Sequence, residues 1–349
     1  MDYHHNDLWE SMELLAKRLG WALFRPIGMD WFDEGYWNHE RKFHGDAVAR
    51  QYLEPWGTDE PRIHAEQGAY PGWLRLDRSH GRWMNMLTLE QARDVRPDIV
   101  ISSLAHNHDG FSRFANEVGA TFGLQIGNVR FSAQDMAEDR WDLAAFGLVS
   151  GLMPVEPPKP HVVYHQEFSL DDFRPGRPPR LGLVVSSFVQ CYPQDTTSYQ
   201  YWLRAAETAP EHDWRVYGAY GTAALDRFAA GHLARCAAVG AAMRASDVAW
   251  HAKRWSAGFG HVIHNWFAVG RPVLGFHDYY KDQLAGRLWV EGETAWDLER
   301  NDVTSLLRRF RDDEDFHIRA CEAAAARFRE VVSYDEEEQA IRDLFSRVL

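Results

Sequence analysis

Leu8, Met12, Leu15 and Leu19 recur at helical spacing near the start of the chain, behind Asp7, which suits a helix cap, and before Gly20, which suits a helix stop. Trp21 to Ile27 then alternates as a strand does. From Trp31 to Arg82 no period is sustained, and Trp, Tyr, Gly, Pro and charge crowd together, which reads as a long decorated insertion of short elements. Regularity returns with a helix near Thr88 to Val95, the strand Asp98 to Leu104, the helix Gly110 to Gly119 and the strand Thr121 to Ile126. That alternation predicts a parallel sheet.

Pro157, Pro158 and Pro160 open a short strand, His161 to Tyr164, and Pro175, Pro178 and Pro179 mark a stiff connection where a domain boundary is expected. The pattern then restarts: strand Leu181 to Ser186, helix Thr197 to Ala209, strand Trp214 to Gly218, helix Ala223 to Ala230, strand Val248 to His251, helix Val262 to Val269 and strand Pro272 to Phe276. Two more amphipathic helices follow, around Asp315 to Val331 and Asp335 to Val348. The expected division is 1–175, with the insertion at about 31–82, then 176–332, and a helix at 333–349 that can pack back on the first domain. The fold class is therefore α/β: two Rossmann-like, doubly wound parallel-sheet domains facing a cleft at the carboxyl ends of their strands.

Composition supports two cores. The chain has 349 residues, 45% apolar and 26% charged, the balance of a protein that buries large cores. A formal charge of −13 argues against nonspecific adhesion to nucleic acid or an anionic bilayer. The three cysteines, Cys191, Cys236 and Cys321, are widely spaced and read as core thiols of a reducing cytosol. With no apolar run long enough to span a bilayer and no signal-peptide order at the start, a cytoplasmic protein without membrane insertion is expected. Fifteen tryptophans offer sugar-stacking faces, although most are expected in cores.

The sharpest signal runs from Ser246 to Leu274: a strand, a loop with Gly258 and Gly260, a helix, then Gly270-Arg271-Pro272 and another strand. Glycines let backbone N–H groups approach a diphosphate, and the following helix points its positive end at it. A tight turn without a ligand is the plain alternative.

Asp247 to Leu274 resembles the carboxyl-terminal donor motif of the group 1 glycosyltransferases, the glycogen synthase-like family of GT-B fold that includes phage-type members. His165 to Pro175 is similar to that family's connection into its second domain, with fainter likeness over Asp98 to Gly127 and Leu284 to Leu298. Matched to the motif, the family's two glutamates fall on Ala257 and Asn265. The resemblance implies a sugar moved from a nucleotide-sugar donor, UDP- or GDP-linked, to an acceptor. Donor-binding candidates are Gly258, Phe259, Gly260, His261, Asn265 on the ribose and Lys253 on the leaving diphosphate.

In the first domain, Ala105-His-Asn-His-Asp-Gly110 follows a strand and precedes a helix. His108, His106 and Asp109 are the candidates for proton transfer or sugar orientation. His5 and Asp7 are acceptor-side candidates, a loose terminus being the plain reading for the histidine. The two histidines, two residues apart with one aspartate beside them, do not make a clear set of metal ligands, so neither metal nor cofactor is expected, and the acidic run Asp312 to Asp315 is better explained as helix capping. The acceptor can be a glycan, a small molecule or a hydroxymethylated phage DNA base, nucleic acid entering only in that last role. An epimerase or hydrolase on the same plan and a non-catalytic sugar- or nucleotide-binding module are the alternatives; the sequence does not give the oligomeric state.

Overall fold

The computed structural model describes residues 6–26, 62–63, 73–77, 82–87, 89–128, 130, 132–179, 182–188, 196–218, 222–231, 233, 236–254 and 258–349. The chain forms two compact units, one of Met1–Phe168 with Tyr334–Leu349 and one of Ser169–Ser333.

The first unit opens with helix α1 (Asn6–Leu19), whose Leu8, Met12, Leu15 and Leu19 are all buried as their spacing predicts. A Schellman-type end closes it: the Trp21 amide donates to Ala16 O at 2.8 Å and that of Gly20 to Lys17 O at 3.2 Å, with Gly20 at φ 75°. This end differs from the strand expected over Trp21 to Ile27. Trp21 to Phe24 is irregular, and only β1 (Arg25–Pro26) pairs, because the helix end holds the Trp21 amide and the proline supplies none.

Within the 31–82 stretch lie β2 (Arg62–Ile63) and β3 (Trp73–Asp77), which pair antiparallel. β4 (Arg82–Leu87) pairs antiparallel with β3 and parallel with β1. The remainder of that stretch lies outside the described residues.

Next come α2 (Leu89–Val95), β5 (Ile99–Ser102), a 3₁₀ turn (Ala105–Asn107), α3 (His108–Val118), β6 (Thr121–Ile126), α4 (Ala133–Ala137), β7 (Phe146–Val149) and β8 (His161–Val163). β5 to β8 make a four-stranded sheet in that order, parallel throughout. Phe111, Phe114 and Ala115 of α3 share one core with Val100, Phe122 and Leu124. The buried face of α1 shares another with Phe146, Leu148 and the C-terminal helix Tyr334–Val348, through Ile341, Leu344 and Phe345.

The second unit contains β9 (Val184–Phe188), α5 (Thr196–Thr208), β10 (Asp213–Tyr217), β11 (Ala229–Gly231), α6 (Cys236–Arg244), β12 (Val248–His251), α7 (His261–Ala268), β13 (Val273–Gly275), α8 (His277–Tyr280), β14 (Ala295–Asp297), α9 (Val303–Asp312) and α10 (Glu314–Val331). The expected helix Ala223 to Ala230 is instead a 3₁₀ segment, Ala223–Phe228, running into β11, which caps the sheet edge beside β10.

All six strands of this unit are parallel, in the order β11-β10-β9-β12-β13-β14. Counted within the unit this is 3-2-1-4-5-6, the Rossmann order, with its reversal between β9 and β12. Trp202 of α5, Trp214 of β10 and Trp250 of β12 meet edge to face with centroids 4.9 to 5.7 Å apart. Each such pair stabilises by about 0.5–1.5 kcal/mol beyond the area it buries. These indoles are core, as expected for most tryptophans of the chain. Among the described residues no helix is long and apolar enough to cross a membrane.

Candidate functional site

Where strand order reverses in an open parallel sheet, the connections leave in opposite directions and a crevice opens at the carboxyl ends, the usual ligand site of such sheets. In the second unit that point is flanked by Phe188, the last residue of β9, and His251, the last of β12. From His251 the chain passes Ala252, Lys253 and Arg254, and reappears at Gly258, Phe259 and Gly260 before α7 begins; 255–257, including Ala257, lie outside the described residues. The glycine-containing loop thus serves the switch point.

Gly260 sits at the N-cap of α7 with φ 79° and ψ 57°, a left-handed conformation that disfavours any side chain. A Cβ there would also stand 3.1 Å from Ile263 Cγ2. Glycine brings no side chain to the cap position, so the N-cap residue itself satisfies none of the first-turn N–H groups. His264, one turn in, hydrogen-bonds through Nδ1 to Gly260 O at 2.9 Å, and its ring stacks on Phe259 at 4.0 Å and 16°.

Phe259 is buried and meets His261 edge-on at 5.0 Å. Its ring is therefore spent on pinning the loop to the helix. Trp266 docks α7 against Phe188 of β9, 5.4 Å away, and Phe188 in turn stacks on Tyr217 at 4.5 Å. Asn265 is buried, and its Oδ1 has no hydrogen-bond partner among the described residues.

Arg254 is exposed, lies 4.0 Å over the Phe276 ring and pairs with Glu299. Lys253 is half-buried, and its charge bears on His251. His251 is a residue that the sequence reading passed over, though a polar side chain closing the apolar run Val248-Ala249-Trp250 is a signal for it. It is 3% exposed, and neither ring nitrogen has a partner among the described residues. Burial, with Lys253 adding to it, pushes His251 down to about 3, so the ring is neutral near pH 7.

Behind the loop, Arg271 of the Gly-Arg-Pro turn is fully buried and donates to six main-chain carbonyls, those of Ser246, Val269, Gly270, Gly176, Arg177 and Arg244. It ties the segment entering the unit to the ends of α6 and α7. Gly270, at φ 69°, presses on α10, where a Cβ would lie 3.0 Å from Cys321 O.

In the first unit, His108 is the first residue of α3 and 1% exposed. Asp109 is exposed and paired with Arg140 Nη1 at 2.5 Å. His106 lies in the 3₁₀ turn, and Asp7 in the first turn of α1, their side chains outside the described residues, as is the whole of His5. In the acidic run Asp312 to Asp315, Asp313 caps α10 by accepting from Phe316 N at 2.9 Å. Among the described residues no three His, Cys, Asp or Glu side chains are gathered to hold a metal ion.

No family model matches the chain, and no curated protein sequence does. Solved structures do. Anabaena HepE in complex with UDP-glucose superposes with a TM-score of 0.58 at 13% identity, over 74% of this chain and 80% of that one. The sucrose-phosphate synthase of Thermosynechococcus elongatus gives 0.55 at 11%, over 74% and 76%. The fold is GT-B. A Staphylococcus aureus TarM complex containing UDP shares the GT-B architecture at a TM-score of 0.57 and 11% identity, over 81% of this chain and 66% of TarM.

Proposed function

We propose that the chain is a glycosyltransferase that takes a sugar from a UDP- or GDP-linked donor and needs no metal ion. The observation that carries this reading is the start of α7 behind a left-handed Gly260, an N-cap without a side chain, at the reversal point of a Rossmann-ordered sheet. Amides and a helix dipole aimed at one place favour a diphosphate there. That HepE and TarM were solved with UDP, on the same fold, supports the same assignment here.

In this proposal the amides of Gly258, Phe259 and Gly260 and the Lys253 ammonium stabilise the diphosphate as the glycosidic bond breaks and negative charge builds on the leaving oxygen. His261 adds a donor at the helix start. Asn265 hydrogen-bonds the ribose, its Oδ1, without a partner among the described residues, accepting from a hydroxyl. Such fixed donors stand in for a cation. His106, His108 and Asp109 are the proposed groups for orienting the sugar and moving the acceptor's proton. Because His108 is shut from solvent, its part requires the first turn of α3 to shift. His5 and Asp7 are proposed on the acceptor side.

The test is nucleotide diphosphate release from a panel of UDP- and GDP-sugars, with and without glycan, small-molecule and hydroxymethylated-DNA acceptors, in EDTA. Release that needs an acceptor and survives EDTA is the expected result. Release without any acceptor would instead identify a hydrolase, and tight binding without release a binding module.

A further inference from the structure

His251 ends β12, and the alternation of the strand sets the face to which it turns. Successive side chains of a strand point to opposite faces. Trp250 packs into the core that contains Trp202 and Ala205 of α5. α5 joins β9 to β10 and α7 joins β12 to β13, in opposite directions across the sheet. Right-handed crossovers place them on opposite faces. His251 therefore turns away from α5 to the α7 face, at the carboxyl end of its strand, where its ring meets Tyr280 of α8 at 5.8 Å and 31°. Its register partner on β13 is Gly275, which brings no side chain beside it.

A buried imidazole whose two nitrogens lack partners among the described residues is costly, about 1–3 kcal/mol for each unmet group. An apolar side chain at that position would carry no such cost. Such a group at the carboxyl end of a switch-point strand stands where ligands of these sheets bind.

We infer that His251 is a recognition residue of the donor site, hydrogen-bonding to a hydroxyl of the hexosyl group that the nucleotide carries; this rests on the donor-binding reading above. Because the ring is 3% exposed, the contact requires side chains at the end of β12 to shift, as the proposed role of His108 does at α3. The chemistry selects a hydroxyl over a phosphate. An uncharged imidazole presents one N–H donor and one bare nitrogen acceptor, and a hydroxyl answers both, whereas a phosphate oxygen only accepts. Ala257, where the resemblance expects a carboxylate, has no polar side-chain atom. His251 supplies one from the neighbouring strand end.

The experiment compares binding of UDP and GDP with that of UDP-glucose and GDP-mannose by calorimetry, for the wild type, His251→Leu and His251→Gln, together with their thermal melts. The sugar's contribution is the ratio of nucleotide-sugar to nucleotide affinity. We expect His251→Leu to reduce that ratio about tenfold, the cost of one unmet polar contact, with binding of the bare nucleotide unchanged. Its melting temperature should hold or rise, because a buried unpaired polar group has been removed. His251→Gln, which keeps a donor and an acceptor, should restore part of the ratio and decides the matter should the leucine variant not fold.

An unchanged ratio in both variants overturns the inference. So does an equal loss for nucleotide and nucleotide sugar, or a melting temperature several degrees lower in both variants, since His251 would then be serving the fold. If the wild type binds none of the four ligands, the donor reading itself has failed.

Discussion

The ring of His264 lies parallel to that of Phe259, 4.0 Å away, while its Nδ1 hydrogen-bonds Gly260 O at 2.9 Å. One side chain thus fixes both the aromatic residue and the carbonyl that precede α7. Replacing His264 by leucine removes the bond and keeps most of the bulk. The expected result is a loss of about 1 kcal/mol in unfolding free energy and a larger proportional loss in nucleotide affinity, read by denaturant titration and calorimetry.

Gly260→Ala forces a side chain into a left-handed conformation at φ 79°, at a cost of about 1–2 kcal/mol. Its Cβ also crowds Ile263 Cγ2 at 3.1 Å, so the loop must shift. Gly292→Ala is the control: φ 82°, with nothing within 4 Å of the added carbon. Both variants should lose stability to a similar extent in denaturant melts. Only Gly260→Ala should also weaken UDP or GDP binding.

Arg271→Met strands several carbonyls that now share one guanidinium, with Ser246 O at 2.6 Å and Arg244 O at 2.6 Å among them. Burial holds the Arg271 guanidinium below its ordinary range, yet its carbonyl partners keep it in place. The expected loss is about 3 kcal/mol or more in unfolding free energy. Arg271→Lys should recover little of it, because an ammonium cannot reach carbonyls spread around a planar fork.

Acid should destabilise the second unit through its buried histidines. His251 is held down to about 3, and His212 is lowered too, mainly by burial. A base whose folded pKa lies below its unfolded one contributes full stability above the unfolded value, near 6.5. That contribution is lost as pH falls towards the folded value, because the unfolded chain then binds more protons. Stability should fall below about pH 6.5, by up to about 1.4 kcal/mol per pH unit for each such histidine. His251→Leu should flatten the slope measured by denaturant melts between pH 7 and 4.

Much of this architecture was legible from residue spacing, and the exceptions have physical causes. The run Val248–His251 reads as a strand because four successive buried residues need a sheet on both faces. β7 was missed. Its Gly147 resembles a turn signal, but the missing side chain accommodates Trp141, whose Cη2 would lie 2.4 Å from a Cβ. Gly123 of β6 likewise makes room for the Phe146 ring. These glycines record long-range packing, which no local window contains.

The candidate site was legible as a glycine loop before a helix, and two of its residues show what spacing leaves open. Phe259 stands within the motif, yet it is buried against His264 and anchors the loop from below. His251 was overlooked, because nothing local distinguishes a histidine that finishes a strand from one that fills a core. That distinction needs the Trp250 side chain to show which way the strand is turned.

The last helix, Tyr334–Val348, belongs to the unit that begins the chain, where Ile341, Leu344 and Phe345 complete the core over α1. Arg18 reaches Asp335 at 2.7 Å, and the His165 amide donates to Glu337 at 2.9 Å. During synthesis, then, the opening segment must wait with that surface bare while all of Ser169–Ser333 leaves the ribosome. The half made first is the half finished last.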